Sequence, residues 1–366
     1  MNIQDCLQQM VKLNASDLHL KTPTGPVYRV DGELVRGSSP VTPEEVEELF
    51  RQITSDEHRQ LFQENNELDF CYSVAGLARF RVNVHRQRGT LSMAFRLIPF
   101  RVPTIEELHL PQIFKELIIQ PRGLIIVAGP TGSGKSTTLA AMVQYLNSNQ
   151  KRSVITIEDP IEYLYTDDQC IISQRELGAD TRSFAVALKH ALRHDPDVIV
   201  VGEMRDLETV STAIAAAETG HLVIGTLHTV DAPQTVDRLI DVFPPSQHQQ
   251  VRLQFSQIIE AVICQSLLPH LNGKGRMAAF EIMTGSTAVR NLIREGKTFE
   301  LSSIIQLSRA SGMQTLDQDL ASLVTRGMVS EQEAMLRSSH RERLKKMIDQ
   351  SFILTPEGRK AAEDID

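Results

Sequence analysis

Leu124-Ile125-Ile126-Val127-Ala128 runs without a break into Gly129-Pro130-Thr131-Gly132-Ser133-Gly134-Lys135-Ser136, and the reading of this stretch decides the fold. The first five residues are an apolar run with the length of a buried strand. The next eight fit G-x-x-x-x-G-K-[ST]. Glycines at those places let backbone N–H groups turn inward and cradle phosphate oxygens. Lys135 then reaches the β- and γ-phosphates, and the Ser136 hydroxyl ligates Mg²⁺. With Thr137 the chain enters a helix whose amino end favours an anion. Strand, glycine loop and helix in that order are the context this motif requires. An α/β fold of the P-loop NTPase type is therefore expected, with ATP and Mg²⁺ as its ligands.

Similar apolar runs recur downstream at 153–157 (SVITI), 197–201 (DVIVV) and 221–226 (HLVIGT), and helical patterns at 136–147, 182–193 and 206–218 separate them. Buried strands alternating with helices imply a parallel sheet covered on both faces. Such sheets place ligands at the carboxyl ends of their strands, and polar residues gather there. Glu158 and Glu162 lie in TIEDPIE (156–162), and Glu203 closes DPDVIVVGE (195–203). Phosphoryl transfer to water needs the metal's water shell held and an attacking water oriented, and carboxylates at these strand ends can do both. A usual Walker B strand ends in Asp followed by a catalytic Glu. Here Gly202 takes the Asp place, which leaves Glu203 as the candidate to activate water. His221 and His228 bracket the strand at 221–226. A histidine in a buried strand is ordinarily a hydrogen-bonded core group, but His228 and Thr229 fall at the carboxyl end, on the loop side, and suit a γ-phosphate sensor.

The first hundred residues read differently. Met1–Leu13 carries apolar residues at helical spacing, residues 17–20 and 27–35 read as short strands, and Asp31-Gly32 supplies hairpin turn chemistry. A polar helix follows with Pro43 near its first turn. Residues 79–98 alternate as a two-stranded ribbon: Phe80, Val82 and Val84 face one way, Arg79, Arg81, Asn83 and His85 the other. The arginines of 79–101 have no acidic residue between Phe70 and Ile105 to answer them. Three readings stay open for this face: a solvated hairpin, a nucleic-acid contact that lacks exposed aromatics for stacking, or arginines that complete an ATP site across a subunit boundary.

Pro99, Pro103 and Pro111 mark residues 99–112 as a linker between a domain at 1–98 and a second at 113–338. After about residue 235 the chain reads as mostly helical, and 339–366 as a peripheral helix and tail. At 366 residues two domains are expected. A net charge of −8 argues against a general nucleic-acid coat. The four cysteines are scattered without a CxxC pair, which fits a reducing compartment and makes a structural zinc site unlike this chain. Neither a signal-peptide pattern nor a membrane-length apolar run occurs. A cytoplasmic location without membrane insertion is expected.

Four boxes together resemble the secretion ATPases of the type II/IV systems: the glycine loop, TIEDPIEY, DPDVIVVGEMRD and AAAETGHLVIGTLHT. Within them the chain is similar to the type IV pilus retraction motors. AVRNLIREGK (288–297) matches their signature, and the tetracysteine module usual in extension and type II secretion ATPases does not occur. The resemblance spans about residues 3–338. It implies a RecA-like P-loop NTPase domain with a smaller N-terminal α+β (PAS-like) domain, and a homohexamer with ATP between the two domains. It implies Glu162 and Glu203 as catalytic glutamates, His221 and His228 as couplers, and Arg79 and Arg81 among arginines that reach the phosphates. Mg²⁺ is then held by Ser136, with water between it and Glu158 and Glu203. The implied partners are an inner-membrane pilus platform protein, with the motor at the cytoplasmic face of that membrane, and a paralogous retraction ATPase. The other reading is a related motor for pilus extension, protein secretion or DNA uptake.

Overall fold

The computed structural model describes residues 2–30, 32–37, 40–98 and 101–353. Asp31 of the expected turn, Pro99 of the linker and the acidic end of the tail lie outside the described residues. The chain divides into two units. One comprises residues up to Arg101 together with Glu162–Leu164; the other comprises Val102–Ile161 and the chain from Tyr165 onward.

In the first unit α1 (Ile3–Lys12) precedes β1 (Asp17–Lys21), β2 (Gly25–Val30) and β3 (Glu33–Arg36). Two helices, α2 (Pro43–Ile53) and α3 (Asp56–Asn65), lead into β4 (Glu67–Val74), β5 (Ala78–Gln87) and β6 (Thr90–Ile98). The six strands form one sheet in the order β3-β2-β1-β6-β5-β4, antiparallel throughout. Its apolar face is the alternation read from the residues: Phe80, Val82 and Val84 of β5 and Met93 and Phe95 of β6 are fully buried. Helix α2 starts where Pro43 predicts. The Thr42 hydroxyl accepts from the Glu45 N–H, and the Glu45 carboxylate accepts from the Thr42 N–H. The residue pattern alone assigns no element to α3 and β4. Helix α3 buries one side chain, Phe62, so it carries almost no apolar periodicity.

The second unit opens with α4 (Ile113–Ile118), β7 (Gly123–Ala128), α5 (Lys135–Asn149), β8 (Ser153–Glu158) and β9 (Ile171–Glu176). Then come α6 (Phe184–Ala191), β10 (Val198–Val201), α7 (Leu207–Glu218), β11 (Leu222–Leu227) and α8 (Ala232–Asp241). After α9 (His248–Ile258) two long strands follow, β12 (Ile259–Pro269) and β13 (Arg276–Thr284). Five helices complete the unit: α10 (Thr287–Glu295), α11 (Leu301–Leu307), α12 (Leu316–Thr325), α13 (Glu331–Arg337) and α14 (Arg341–Ile353). The sheet order is β13-β12-β7-β11-β10-β8-β9. All neighbours are parallel except β12 and β13.

The continuous apolar runs follow from burial on both faces. Leu124, Ile126 and Ala128 of β7 enter one core, packed with α7, α8 and α9, while Ile125 and Val127 enter another with α4 and α5. Strand β10 divides the same way, Ile199 and Val201 to the first core and Val198 and Val200 to the second. The expected linker holds part of this second core, since Ile105 and Leu110 are buried beside Phe114. Helix α14 buries Leu344 and Ile348 against α12.

The helical reading beyond residue 235 is corrected by β12 and β13. Their residues, IEAVICQSLLP and RMAAFEIMT, are long apolar runs rich in helix formers. No turn residue separates α9 from β12, so nothing in the local pattern marks the change.

Candidate functional site

The glycine loop connects β7 to α5 at the carboxyl end of the parallel sheet. Gly134 ends it with φ +89°, a left-handed conformation that glycine adopts without strain. Gly129 is required for a second reason: a Cβ there would stand 2.5 Å from the Gln265 carbonyl oxygen and 2.7 Å from Ser133 Oγ. Lys135 folds back over the loop, its Nζ donating to the Gly129 carbonyl at 2.7 Å and the Pro130 carbonyl at 3.1 Å. Beneath, Thr138 of α5 donates to Gln265 Oε1 of β12 at 2.8 Å, in a buried contact.

Three observations test whether this loop fits a nucleotide. The Ser133 hydroxyl oxygen is buried with no hydrogen-bond partner. A Cβ added at Gly132 would meet nothing within 4 Å, so open space adjoins the loop there. Lys135, Ser136 and Thr137 are each half-buried, at the amino end of a helix of 15 residues. The residues fit.

Carboxylates converge at the neighbouring strand ends. In sheet order β7 is followed by β11, β10 and β8, each about 4.8 Å from the next. Past β10, Glu203 has a side chain 16% exposed. Its Oε1 lies 2.8 Å from His228 Nε2, just past β11, and also accepts from Arg205 Nε. At the end of β8, Glu158 accepts from Thr156 Oγ1 at 2.5 Å and from Gln174 Nε2 at 3.0 Å. Gly202 has no room for the usual aspartate. A Cβ there would come within 2.9 Å of the Ile157 carbonyl and 3.3 Å of the Glu158 Cα.

Other expected residues lie elsewhere. His221 precedes β11, at the opposite end of the sheet, where its Nδ1 is 2.9 Å from the Ala216 carbonyl oxygen. With about 3.3 Å of rise per residue, the six residues of β11 hold it roughly 20 Å from His228. Within one chain the structure does not bring His221 to the glycine loop. Glu162 is exposed in the segment after β8. Arg79 and Arg81 project from β5 of the first unit, Arg79 half-buried and Arg81 exposed. Arg81 sits opposite Arg96 in register, and Arg96 donates to Asp17 Oδ1 at 2.8 Å.

The family model described as type II/IV secretion system protein matches residues 1–336. The chain belongs to the type II/IV secretion ATPase family. It is 48% identical over 335 residues to the type IV pilus retractation ATPase PilT of Pseudomonas aeruginosa, covering 91% of this chain and 97% of that protein. A twitching motility protein of Neisseria gonorrhoeae is 48% identical over 318 residues, 87% of this chain and 85% of that one. A crystal structure of the pilus retraction motor PilT with bound ADP superposes with a TM-score of 0.88 at 45% identity, over 94% of this chain and 99% of that one. The chain is a nucleotide-binding ATPase with the secretion-ATPase fold. Among its described residues no helix is long and apolar enough to cross a membrane.

Two residues that the structure places at the candidate site, Arg205 and Gln265, are not among those expected from the sequence. Arg205 lies inside the DPDVIVVGEMRD box, two residues beyond Glu203, so the box itself carried the signal. Gln265 belongs to the unexpected strand β12, and its place under the loop depends on strand pairing that no local pattern carries.

Proposed function

We propose that this chain powers retraction of a type IV pilus, as a homohexameric motor that hydrolyses Mg-ATP. The observation that carries the reading is the near end-to-end match to the Pseudomonas retraction ATPase, 48% over 97% of its length. Backbone N–H groups of the glycine loop hold the phosphates, and Lys135 leaves its carbonyl partners to bind them. Ser136 would hold Mg²⁺, with Glu158 and Glu203 acting on it through water. Bound there, the metal would neutralise developing phosphate charge. Glu203 accepts the proton of the attacking water, and His228, hydrogen-bonded to it, orients that carboxylate. Glu162, Arg79, Arg81 and His221 complete the site in the assembled ring, the arginines stabilising transition-state charge on a neighbouring subunit's nucleotide. The ring works at the cytoplasmic face of the inner membrane against a pilus platform protein, alone or with a paralogous retraction ATPase.

Gene deletion tests the cellular role. Cells without the motor should keep abundant surface pili and lose twitching, whereas bald cells would overturn it. Glu203→Gln tests the chemistry: ATP binding should persist while turnover falls about 10²- to 10⁴-fold, as for loss of a general base. Full turnover in that variant would place the base elsewhere.

A further inference from the structure

Glu281 of β13 is a carboxylate in the core of the second unit, 8% exposed. Its Oε1 accepts from the Ala232 N–H at 2.8 Å, the first residue of α8. The backbone N–H of Leu316, the first residue of α12, also favours its charged form. One side chain thus bonds the amino end of one ten-residue helix and bears electrostatically on that of another. Each of those ends carries partial positive charge.

Helix α8 leads directly from the site. Between Leu227 of β11 and Ala232 stand only His228, Thr229, Val230 and Asp231. Thr229 Oγ1 lies 2.7 Å from Thr235 Oγ1, and Thr235 donates to the Asp231 carbonyl at 2.6 Å. The loop is therefore fastened to the first turn of α8, and that turn is fastened to Glu281. On the other side α12 is tied to the C-terminal helices and to β13: Asp317 accepts from the Ser338 hydroxyl, just past α13, at 2.7 Å, and Asp319 accepts from the Phe280 N–H of β13 at 2.8 Å.

We propose that Glu281 is a positioning residue for ATP hydrolysis: by binding the amino end of α8, on the strand whose Ile282 pairs with Gln314 just before α12, it sets the loop carrying His228 against Glu203 and links that loop to the C-terminal helices. The ionised carboxylate attracts both amide groups; the neutral acid, with one oxygen turned donor, attracts them less. The titratable groups facing it are Asp231 at the cap of α8, Asp317 on α12 and Cys264 opposite it on β12, acids all. Burial, with Asp231 and Asp317 beside it, pushes the Glu281 carboxyl up to about 7. Its charge therefore changes in the range where such an enzyme works.

The role of Glu281 rests on the role given to Glu203 above, and the two fail separately. In the full-length wild-type protein kcat is expected to rise as pH passes through about 7, following ionisation of Glu281. Glu281→Gln is expected to lose about tenfold in kcat at alkaline pH, the worth of one charge-assisted hydrogen bond. It should keep its KM within about twofold and lack the rise. A wild-type kcat and pH profile in this variant overturns the proposal. Because a buried substitution can unfold the chain, hydrogen exchange on the wild-type protein gives a second reading. Added ADP should change protection at residues 229–236 and 314–320 together, and a response confined to the first segment overturns the link. Full turnover in Glu203→Gln removes the underlying mechanism, whereas a dead Glu203→Gln beside an unaltered Glu281→Gln profile removes only the role of Glu281.

Discussion

Lys135 shows how a single side chain is held ready for a ligand. Its ammonium rests on two loop carbonyls, contacts that phosphate oxygens would replace with stronger, charge-assisted ones in the proposed function. Lys135→Ala should therefore raise the Kd for ATP by at least about 100-fold, the equivalent of two such bonds, in a titration with fluorescent nucleotide. Affinity unchanged from wild type would refute the loop assignment. Gly129→Ala probes the other side of the loop. Its methyl would drive against the Gln265 carbonyl, a backbone atom that cannot swing away, so the loop must shift and affinity should fall by about tenfold or more. Motif and spacing made Lys135, Ser136 and Glu203 legible, because glycine loops and strand-end carboxylates have local signatures. Gln265 was not legible. It meets Thr138 across 127 residues, and only the pairing of β12 with β7 brings the two together.

The signature AVRNLIREGK becomes physical at the scale of elements. It forms α10, which buries Val289 and Ile293 and ends at Gly296 with φ +73°. Its Arg290 reaches back to α9, donating to the carbonyls of Ser256 at 3.1 Å and of Gln257, in the last turn of that helix. The same guanidinium donates to the Gly285 carbonyl at 2.6 Å and pairs with Glu260 at 2.9 Å. Helix carboxyl ends lack internal donors for their last carbonyls, and here Arg290 supplies them where β12 begins. Arg290→Ala should lower the unfolding free energy by about 2–4 kcal/mol, read as a reduced urea midpoint. Arg290→Lys, which keeps charge but not the planar fork, should recover only part of the loss. Strands β7, β10 and β11 were readable as strands because β-branched residues fill them. Strand β13 was not, since Met, Ala and Glu at its centre carry helix propensity that pairing with β12 overrides.

The two units of the molecule carry opposite electrostatic loads. Asp17 in the first is pushed up by burial, but hydrogen bonds from Ser16 and Arg96 outweigh this and hold it below the usual range. Its contribution to stability is present above the unfolded pKa and is lost as pH falls through the folded one. In the second unit burial raises Glu281 to about 7 and Asp319 to about 6. A raised carboxyl has the reverse sign. Its stabilising share is complete below the unfolded pKa and disappears as pH rises through about 6 to 7, on the order of 3 kcal/mol for Glu281. The second unit should therefore melt several degrees higher near pH 5 than near pH 8, and Glu281→Gln with Asp319→Asn should flatten that slope in calorimetry. An unchanged slope in the double variant would assign it to other groups. Turnover moves the other way across the same window, because the ionised Glu281 that costs stability is the form that grips α8 and bears on α12. The pH of greatest stability should accordingly lie below the pH of greatest kcat, and removing this one carboxylate should bring the two closer together.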